Sequence, residues 1–217
     1  MIDKLSQKST TPSFYLPNWI DPKIINPVTA KPHMYSQSNK IVLLYSGNIG
    51  EKQDWQSFIE FCNDIDPNKY EVIIVGAGVK KEWLVEQTTH FSNVKHYPPV
   101  SYMDLSDLLC SVDIHLLFQK PNFFEAVMPS KVLGMMASAK PSLIIGHKDS
   151  EINSIFKSID IGLYYDKYSK EVVKELDKLT SHTSRKKEMG KNARAYVLEH
   201  FSKEEVLKSV LKKIDSL

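Results

Sequence analysis

A lysine stands near the start of a short, mostly apolar segment, PSKVLGMMASAKP, which runs from Pro129 to Pro141. The segment predicts one short helix with Ser130 as its N-cap, so Lys131 falls in the first turn. The aligned peptide dipoles already place about half a positive charge there, which makes a second positive charge unfavourable by ~0.3–1 kcal/mol. A bound phosphate would reverse that sign. Ser130 and Lys131 therefore predict an anion site.

The Lys131 charge can also be accommodated without an anion, in two ways. The side chain can reach water along its aliphatic stem, or it can pair with a carboxylate, for which Glu125 and Asp149 are the candidates. The charge pattern does not separate these two arrangements from the anion site.

The same segment should be buried, because apolar side chains surround most of the predicted helix: Val132, Leu133, Met135, Met136, Ala137 and Ala139. Gly134 interrupts them at a cost of about 1 kcal/mol relative to alanine. We expect another segment to approach the backbone closely at Gly134. Packing of a neighbouring helix is favoured over a ligand as the reason.

The elements that position this helix alternate along the chain. Apolar segments of strand length are KIVLLYSG, YEVIIVGAG, NVKHYPPV, DIHLLFQ, SLIIG and GLYY, and segments with helical spacing separate them. Such alternation indicates a parallel sheet covered by helices on both faces. The sequence predicts an α/β fold, a doubly wound, mostly parallel, Rossmann-like sheet in a single domain.

The two ends of the chain differ from this pattern. Residues 1–40 hold five of the eleven prolines and predict an arm or linker, with one short strand at SFYLP. Residues 41–200 form the predicted sheet domain, and residues 201–217 form a C-terminal helix. Ser202 and Glu205 have the spacing of a capping box at its start. Its apolar stripe, which we expect to be partly exposed and to support self-association, comprises Val206, Leu207, Val210, Leu211, Ile214 and Leu217.

Ligands of open parallel sheets bind at the carboxyl ends of the strands, so the loops that follow the strands are candidate sites. In SGNIGEKQ, Gly47 and Gly50 are expected to let backbone N–H groups face an anion. The loop GAG from Gly76 begins like a dinucleotide fingerprint, but Lys81 replaces the third glycine, which disfavours a dehydrogenase. The Pro-Pro pair of HYPPV either presents fixed backbone groups to a base or turns the chain.

Composition excludes several classes of protein. With 217 residues, 42% hydrophobic and 25% charged, the chain has the composition of a soluble globular protein, and a net charge of +2 is too small to indicate a nucleic-acid or membrane partner. The two cysteines, Cys62 and Cys110, are expected to be buried free thiols. No apolar run reaches membrane-spanning length, no signal peptide is visible, and the seven histidines show no metal spacing. We expect a cytoplasmic protein without a cofactor or a metal.

An ordered set of motifs carries a resemblance to a known family: YLPNWID, LYSGNIGEKQ, IIVGAG, NVKHYPPV, LLCSVDIHLL, VMPSKVLGMMASAKPSLI, SEI, IGLYY and EMGKNARAYVLEHFS. Over residues 14–215 the chain resembles the C-terminal, donor-binding half of a group 1 (family 4) glycosyltransferase of two-domain GT-B architecture. It is most similar to the capsule, colanic acid and O-antigen branch with a Pro-Ser-Lys motif.

The resemblance implies a nucleoside-diphosphate sugar as ligand, transferred with retention. It also implies an N-terminal acceptor-binding domain that would account for any peripheral membrane association, with YLPNWID as the linker to it and the terminal helix packing toward it. By the resemblance, the loop at Gly47 and Asn48 lies near the diphosphate and the segment 98–100 lies near the base. The loop from Glu125 to Lys131, with its helix, holds the diphosphate and the sugar. The resemblance leaves the catalytic residues unassigned. The resemblance and the charge pattern together predict the following site residues: Gly47, Asn48, Lys52, Gly76, Pro99, Val100, Glu125, Ser130 and Lys131.

Two of the departures from the family pattern bear on whether the chain is part of an enzyme. Gly134 stands where the family has its second glutamate, and Asn48 stands where it has an arginine. These departures favour an alternative in which the chain is a non-catalytic nucleotide-binding or interaction module that kept the fold. In the first interpretation the chain is part of an enzyme and is inactive without the acceptor domain.

Overall fold

The alternating pattern folds into six strands and eight α-helices within residues 14–121 and 129–215, which are the residues that this computed structural model describes. The strands are β1 (Ile41–Ser46), β2 (Tyr70–Val75), β3 (Val94–Tyr97), β4 (Ile114–Phe118), β5 (Ser142–Ile145) and β6 (Gly162–Tyr165). The helices are α1 (Trp55–Asp64), α2 (Lys81–Thr88), α3 (Leu105–Cys110), α4 (Ser130–Ala137), α5 (Glu151–Ser158), α6 (Lys170–Ser181), α7 (Thr183–Phe201) and α8 (Lys203–Ile214). A short 3-10 helix covers Met34–Ser36.

All six strands are parallel and lie in the order β3-β2-β1-β4-β5-β6. The predicted doubly wound Rossmann-like sheet is confirmed. Chain order runs outward from β1 in one direction and from β4 in the other, so the connections leave these two neighbours toward opposite sides. A crevice opens at such a switch point, at the carboxyl ends of the strands.

Alternate residues of each strand face two separate apolar cores. On β1, Val42 and Leu44 face the core that α3, α4, α5 and α7 cover, whereas Leu43 and Tyr45 face the core under α1, α2 and α6. This period of two, with both faces apolar, is the reason why the strands read as continuous apolar runs in the sequence.

The arm before β1 lies on the sheet domain as an irregular segment. In the predicted strand SFYLP, Ser13 lies outside the described residues. The other four, residues 14–17, form no strand, so the prediction is wrong for them. The backbone instead pairs at one point: Ile20 N–H donates to the Phe201 carbonyl oxygen at 2.8 Å, and Lys203 N–H donates to the Ile20 carbonyl oxygen at 3.0 Å. The arm is thereby joined to the junction between α7 and α8.

Further along, two backbone N–H groups of the arm donate to side chains of α3. Asn26 N–H donates to Ser106 Oγ at 3.1 Å, and Lys31 N–H donates to Asp107 Oδ1 at 2.9 Å.

In the described residues no helix is both long and apolar enough to cross a lipid bilayer. Both cysteines are free thiols, as predicted; Cys62 is buried and Cys110 is half-buried.

Candidate functional site

A cleft of about 770 Å³ opens at the carboxyl ends of β1 and β4. Its walls come from the loop after β1, the first turns of α4, the side of α3 and the arm around Trp19 and Asp21. This is the crevice that the strand order predicts. Four predicted site residues line it: Gly47, Asn48, Ser130 and Lys131.

Helix α4 enters the cleft by its N-terminus. It is buried through Val132, Leu133, Met135, Met136 and Ala137, as predicted. The predicted N-cap is wrong: Pro129 occupies that position with extended backbone, and its carbonyl oxygen accepts from Val132 N–H at 3.0 Å. Ser130 is already the first helical residue, so its side chain does not cap the helix and is exposed at the cleft.

The Lys131 ammonium group lies against the end of β1. Its Nζ donates to Tyr45 Oη at 3.1 Å and stands 4.8 Å from the centroid of the Tyr45 ring. The Tyr45 hydroxyl in turn donates to the Asn48 carbonyl oxygen at 2.6 Å. Burial raises the pKa of Tyr45, so the phenol keeps the proton that this bond requires. Tyr45 therefore positions both the cation and the loop that follows β1.

Sequence reasoning missed Tyr45, because it ends an apolar strand and reads as a core residue. The available signal was its place as the last aromatic residue before the glycine-containing loop SGNIGEKQ.

The loop after β1 uses its glycines for shape. Gly47 has a φ of +127°, and its N–H donates to the Val75 carbonyl oxygen at 2.9 Å. Gly50 N–H donates to Gln53 Oε1 at 3.1 Å. The amide hydrogens of these two glycines are therefore engaged inside the protein. The glycines serve a positive φ and close packing.

Gly76 follows β2 and meets this loop directly. A Cβ built on Gly76 would lie 2.0 Å from the Gly47 carbonyl oxygen, so no larger residue fits without moving the backbone. Beyond the contact lies a smaller cleft of about 340 Å³, lined by Gly76, Pro99 and Val100. The two clefts share Ser46, Gly47, Asn48 and Leu105. Seven predicted site residues thus line these two neighbouring clefts.

The remaining two predicted residues are placed differently. The Lys52 side chain is exposed, and Lys52 is not among the described residues that line either cleft. Its carbonyl oxygen accepts from Lys120 N–H at 3.1 Å. Glu125 lies outside the described residues.

A buried histidine, His115 of β4, also lines the larger cleft. Its Nε2 is 2.9 Å from Ser138 Oγ, just beyond the end of α4. Burial, with the Lys140 charge as a smaller cause, lowers the pKa of His115 to about 3. Because this contact joins β4 to the residue that follows α4, we assign His115 to positioning α4 on the sheet.

The expected close approach at Gly134 is not found. Among the described residues, a Cβ at Gly134 would have a single neighbour within 4 Å, Leu109 Cδ1 at 3.4 Å.

Across residues 14–121 and 129–215, no three His, Cys, Asp or Glu side chains are grouped to hold a metal ion.

Comparison with known proteins identifies related chains. The family model described as glycosyl transferases group 1 matches residues 31–196. WcaI of Escherichia coli (strain K12), described as a colanic acid biosynthesis glycosyl transferase, is 34% identical over 119 residues, which are 54% of this chain and 29% of WcaI.

Solved structures share the fold. Anabaena HepE in complex with UDP-glucose superposes with a TM-score of 0.71 at 15% identity, covering 92% of this chain and 56% of HepE. The C-terminal domain of LpcC, a group 1 family protein of Francisella tularensis, gives a TM-score of 0.64 at 16% identity, covering 85% of this chain and 99% of that domain. The matched residues cover less than a third of WcaI and little more than half of HepE. Because the family model matches more than half of the sequence, the chain belongs to the group 1 glycosyltransferases.

Proposed function

We propose that this chain is the donor-binding half of a retaining glycosyltransferase of bacterial surface-polysaccharide synthesis. Its ligand is a nucleoside-diphosphate sugar, which binds in the cleft at the carboxyl ends of β1 and β4. One observation carries the proposal: the N-terminus of α4 and the Lys131 ammonium group line the same cleft.

A diphosphate fits this place for electrostatic reasons. The helix α4 points the positive end of its dipole at the cleft and adds the Lys131 charge there, with no acidic residue in its first turn. Phosphate oxygens accept from such N-terminal N–H groups and pair with an ammonium ion. The Tyr45 hydroxyl and the ring below it hold Lys131 on the cleft wall, so little side-chain entropy is lost when the anion binds.

The comparisons support the ligand class and the division of the protein. HepE, whose fold this chain shares, was solved with UDP-glucose, and WcaI is described by colanic acid biosynthesis. Both relatives are longer than this chain, which supports a separate acceptor-binding domain in the whole enzyme.

The chemistry proposed for this half is stabilisation of the leaving group. When the sugar–oxygen bond breaks, the bonding electrons stay on the nucleoside diphosphate. The acceptor oxygen forms the new bond, and its proton passes to an oxygen of the departing diphosphate. Lys131 and the α4 N-terminus stabilise the additional negative charge on the diphosphate as it develops. No protein base in this half is needed for that contribution.

The second candidate function is that of a nucleotide-binding module without transfer activity. Gly134 supplies no side chain and Asn48 no positive charge to the cleft that both line. The two functions differ in turnover. In the enzyme interpretation, the chain alone transfers no sugar, and adding the acceptor-binding half restores transfer; a non-catalytic module stays inactive with that half present.

Calorimetric titration tests the proposed ligand. We expect UDP to bind the 217-residue chain and uridine to bind much more weakly. Lys131→Ala should weaken UDP binding by about ten- to a hundredfold, because one charge-assisted contact contributes ~1.5–3 kcal/mol. Lys157→Ala, which removes an exposed lysine in the last turn of α5, is the matched control and should bind UDP normally. Equal binding of UDP by the Lys131→Ala variant would contradict the proposal.

A further inference from the structure

The arm before β1 covers the carboxyl end of β3, which is an edge strand of the sheet. The ring of Tyr35, in the 3-10 helix of the arm, stacks on the ring of Tyr97, the last residue of β3. Their centroids are 4.0 Å apart, and the angle between their planes is 11°. Both side chains are half-buried and border the same apolar core. Stacked aromatic rings stabilise a contact beyond the area that they bury, so the arm supports the end of β3.

Hydrogen bonds fix the position of Tyr35 on the arm. His33 N–H donates at 2.9 Å to Ser111 Oγ, just after α3, and Ser111 Oγ donates to the Lys31 carbonyl oxygen at 3.1 Å. Tyr35 N–H donates to His33 Nδ1 at 3.2 Å, and the His33 ring meets the Tyr35 ring edge-on, with centroids 4.7 Å apart. Because the end of α3 holds this turn in place, the Tyr35 ring reaches Tyr97 from a fixed backbone.

The residues that follow Tyr97 form a wall of the smaller cleft, which Pro99 and Val100 line. Pro98 and Pro99 have no N–H group, so the backbone between Tyr97 and Val100 cannot donate hydrogen bonds to the sheet. The Tyr97 carbonyl oxygen accepts from Gly76 N–H at 3.2 Å, and the two prolines restrict the backbone beyond it. A shift of Tyr97 would therefore move Pro99 and Val100 with it.

We propose that Tyr35 is a positioning residue. Through Tyr97 it holds the wall formed by Pro99 and Val100, and it thereby raises the affinity for the nucleoside end of the ligand. The inference rests on the proposed function, because it takes the diphosphate to lie at Lys131. The loop after β1 borders both clefts, so a nucleoside attached to that diphosphate extends past the loop into the smaller cleft. A wall that is already held in place reduces the entropy lost when the nucleoside binds.

The test titrates UDP and pyrophosphate into the 217-residue chain and into its Tyr35→Ala, Tyr35→Phe and Met34→Ala variants, at a temperature where thermal melting shows each of them folded. Tyr35→Ala should weaken UDP binding by about two- to tenfold, because one stacked pair is lost, and should leave pyrophosphate binding unchanged. Tyr35→Phe keeps the ring and should bind UDP as the natural chain does. Met34→Ala removes the exposed neighbour in the same 3-10 helix and should also bind normally.

Amide hydrogen exchange measures the same contact without a ligand. In Tyr35→Ala, residues 97–105 should exchange faster than in the natural chain, whereas Tyr35→Phe and Met34→Ala should leave their exchange unchanged. A general loss of stability would instead speed exchange across the whole sheet. This measurement decides the inference where pyrophosphate binds too weakly to titrate.

Several results would overturn the inference. Tyr35→Ala could bind UDP normally, or could lose UDP and pyrophosphate binding equally. It could also leave the exchange of residues 97–105 unchanged, or speed exchange equally across the whole sheet. When the natural chain binds UDP and Lys131→Ala weakens that binding, each of these results removes this inference and leaves the proposed function intact. A natural chain that binds no UDP removes both.

Discussion

The two ends of helix α4 meet their surroundings in opposite ways. At its C-terminal end, the Arg194 guanidinium donates to the Ala137 carbonyl oxygen, and the backbone around Ala139 touches Gly190 of α7. A cation there complements the negative end of the helix dipole. At the N-terminal end, Lys131 adds a positive charge to the positive end of the dipole and borders a cleft.

This difference separates stability from binding within one element. The C-terminal end combines a favourable charge with backbone contact, so changes there should lower the free energy of unfolding. The N-terminal end carries an arrangement that gains from an anion, so changes there should act on ligand affinity. The predictions below test this separation, from the largest expected change to the smallest.

Gly190→Ala should have the largest effect on stability. Its new methyl group would stand 2.0 Å from the Ala139 carbonyl oxygen, and α7 would have to move away from α4. We expect a loss of about 3 kcal/mol, at the upper end for overpacking. Urea unfolding measures it. A loss within the error of the measurement would mean that the contact between α4 and α7 is loose, and the comparison of the two ends would fail.

Stability should also fall in acid because of His115. Burial holds its folded-state pKa at about 3, below the ordinary value of 6.5, so unfolding takes up a proton between these values. The stability is complete above about pH 6.5 and declines as the pH falls toward 3. At pH 5 this amounts to about 2 kcal/mol relative to pH 7.

The variant that checks this prediction is His115→Gln. Glutamine is neutral at every pH, so His115→Gln should reduce the loss of stability between pH 7 and pH 5. The measurement is thermal melting across the pH range. Identical pH profiles for the natural chain and His115→Gln would contradict the prediction.

Lys131→Ala should change the stability of the ligand-free chain less than Gly190→Ala does. The substitution removes the unfavourable charge at the helix start, ~0.3–1 kcal/mol. This gain opposes the loss of the contacts that Lys131 makes with the ring and the hydroxyl group of Tyr45. A loss as large as that of Gly190→Ala would assign Lys131 to structure.

The smallest effect on folding is expected on α8. Val206 is buried, whereas Leu207 and Leu211 are 39% and 60% exposed, as its apolar stripe predicts. We propose that these leucines support weak self-association at high protein concentration. Leu207→Gln with Leu211→Gln should reduce the apparent mass in light scattering while the melting temperature stays constant. A natural chain that is monomeric at high concentration would contradict the proposal.

Much of the fold was predictable because its signals are local. Each strand is an apolar run and most helices have a periodic face, and the capping contact between Ser202 Oγ and Glu205 N–H lies within one turn. The site was predictable to the extent that parallel strands bring their following loops to one edge. Lys52 shows the limit, since membership of such a loop does not determine whether a side chain faces the cleft.

The sequence by itself determined the order of the elements, the burial of α4 and the positive charge in its first turn, because spacing along a segment follows directly from backbone periodicity. Only the tertiary structure decided that Lys131 lies on Tyr45, 86 positions earlier in the chain, and that the amide hydrogen of Gly47 is taken by the end of β2. Among the described residues, it also decided which glycine faces a backbone atom: an added Cβ would lie 2.0 Å from the Ala139 carbonyl oxygen at Gly190, but 3.4 Å from Leu109 Cδ1 at Gly134. Contacts of this kind join segments that are distant in sequence, so they depend on the path of the loops between them, which no local spacing records.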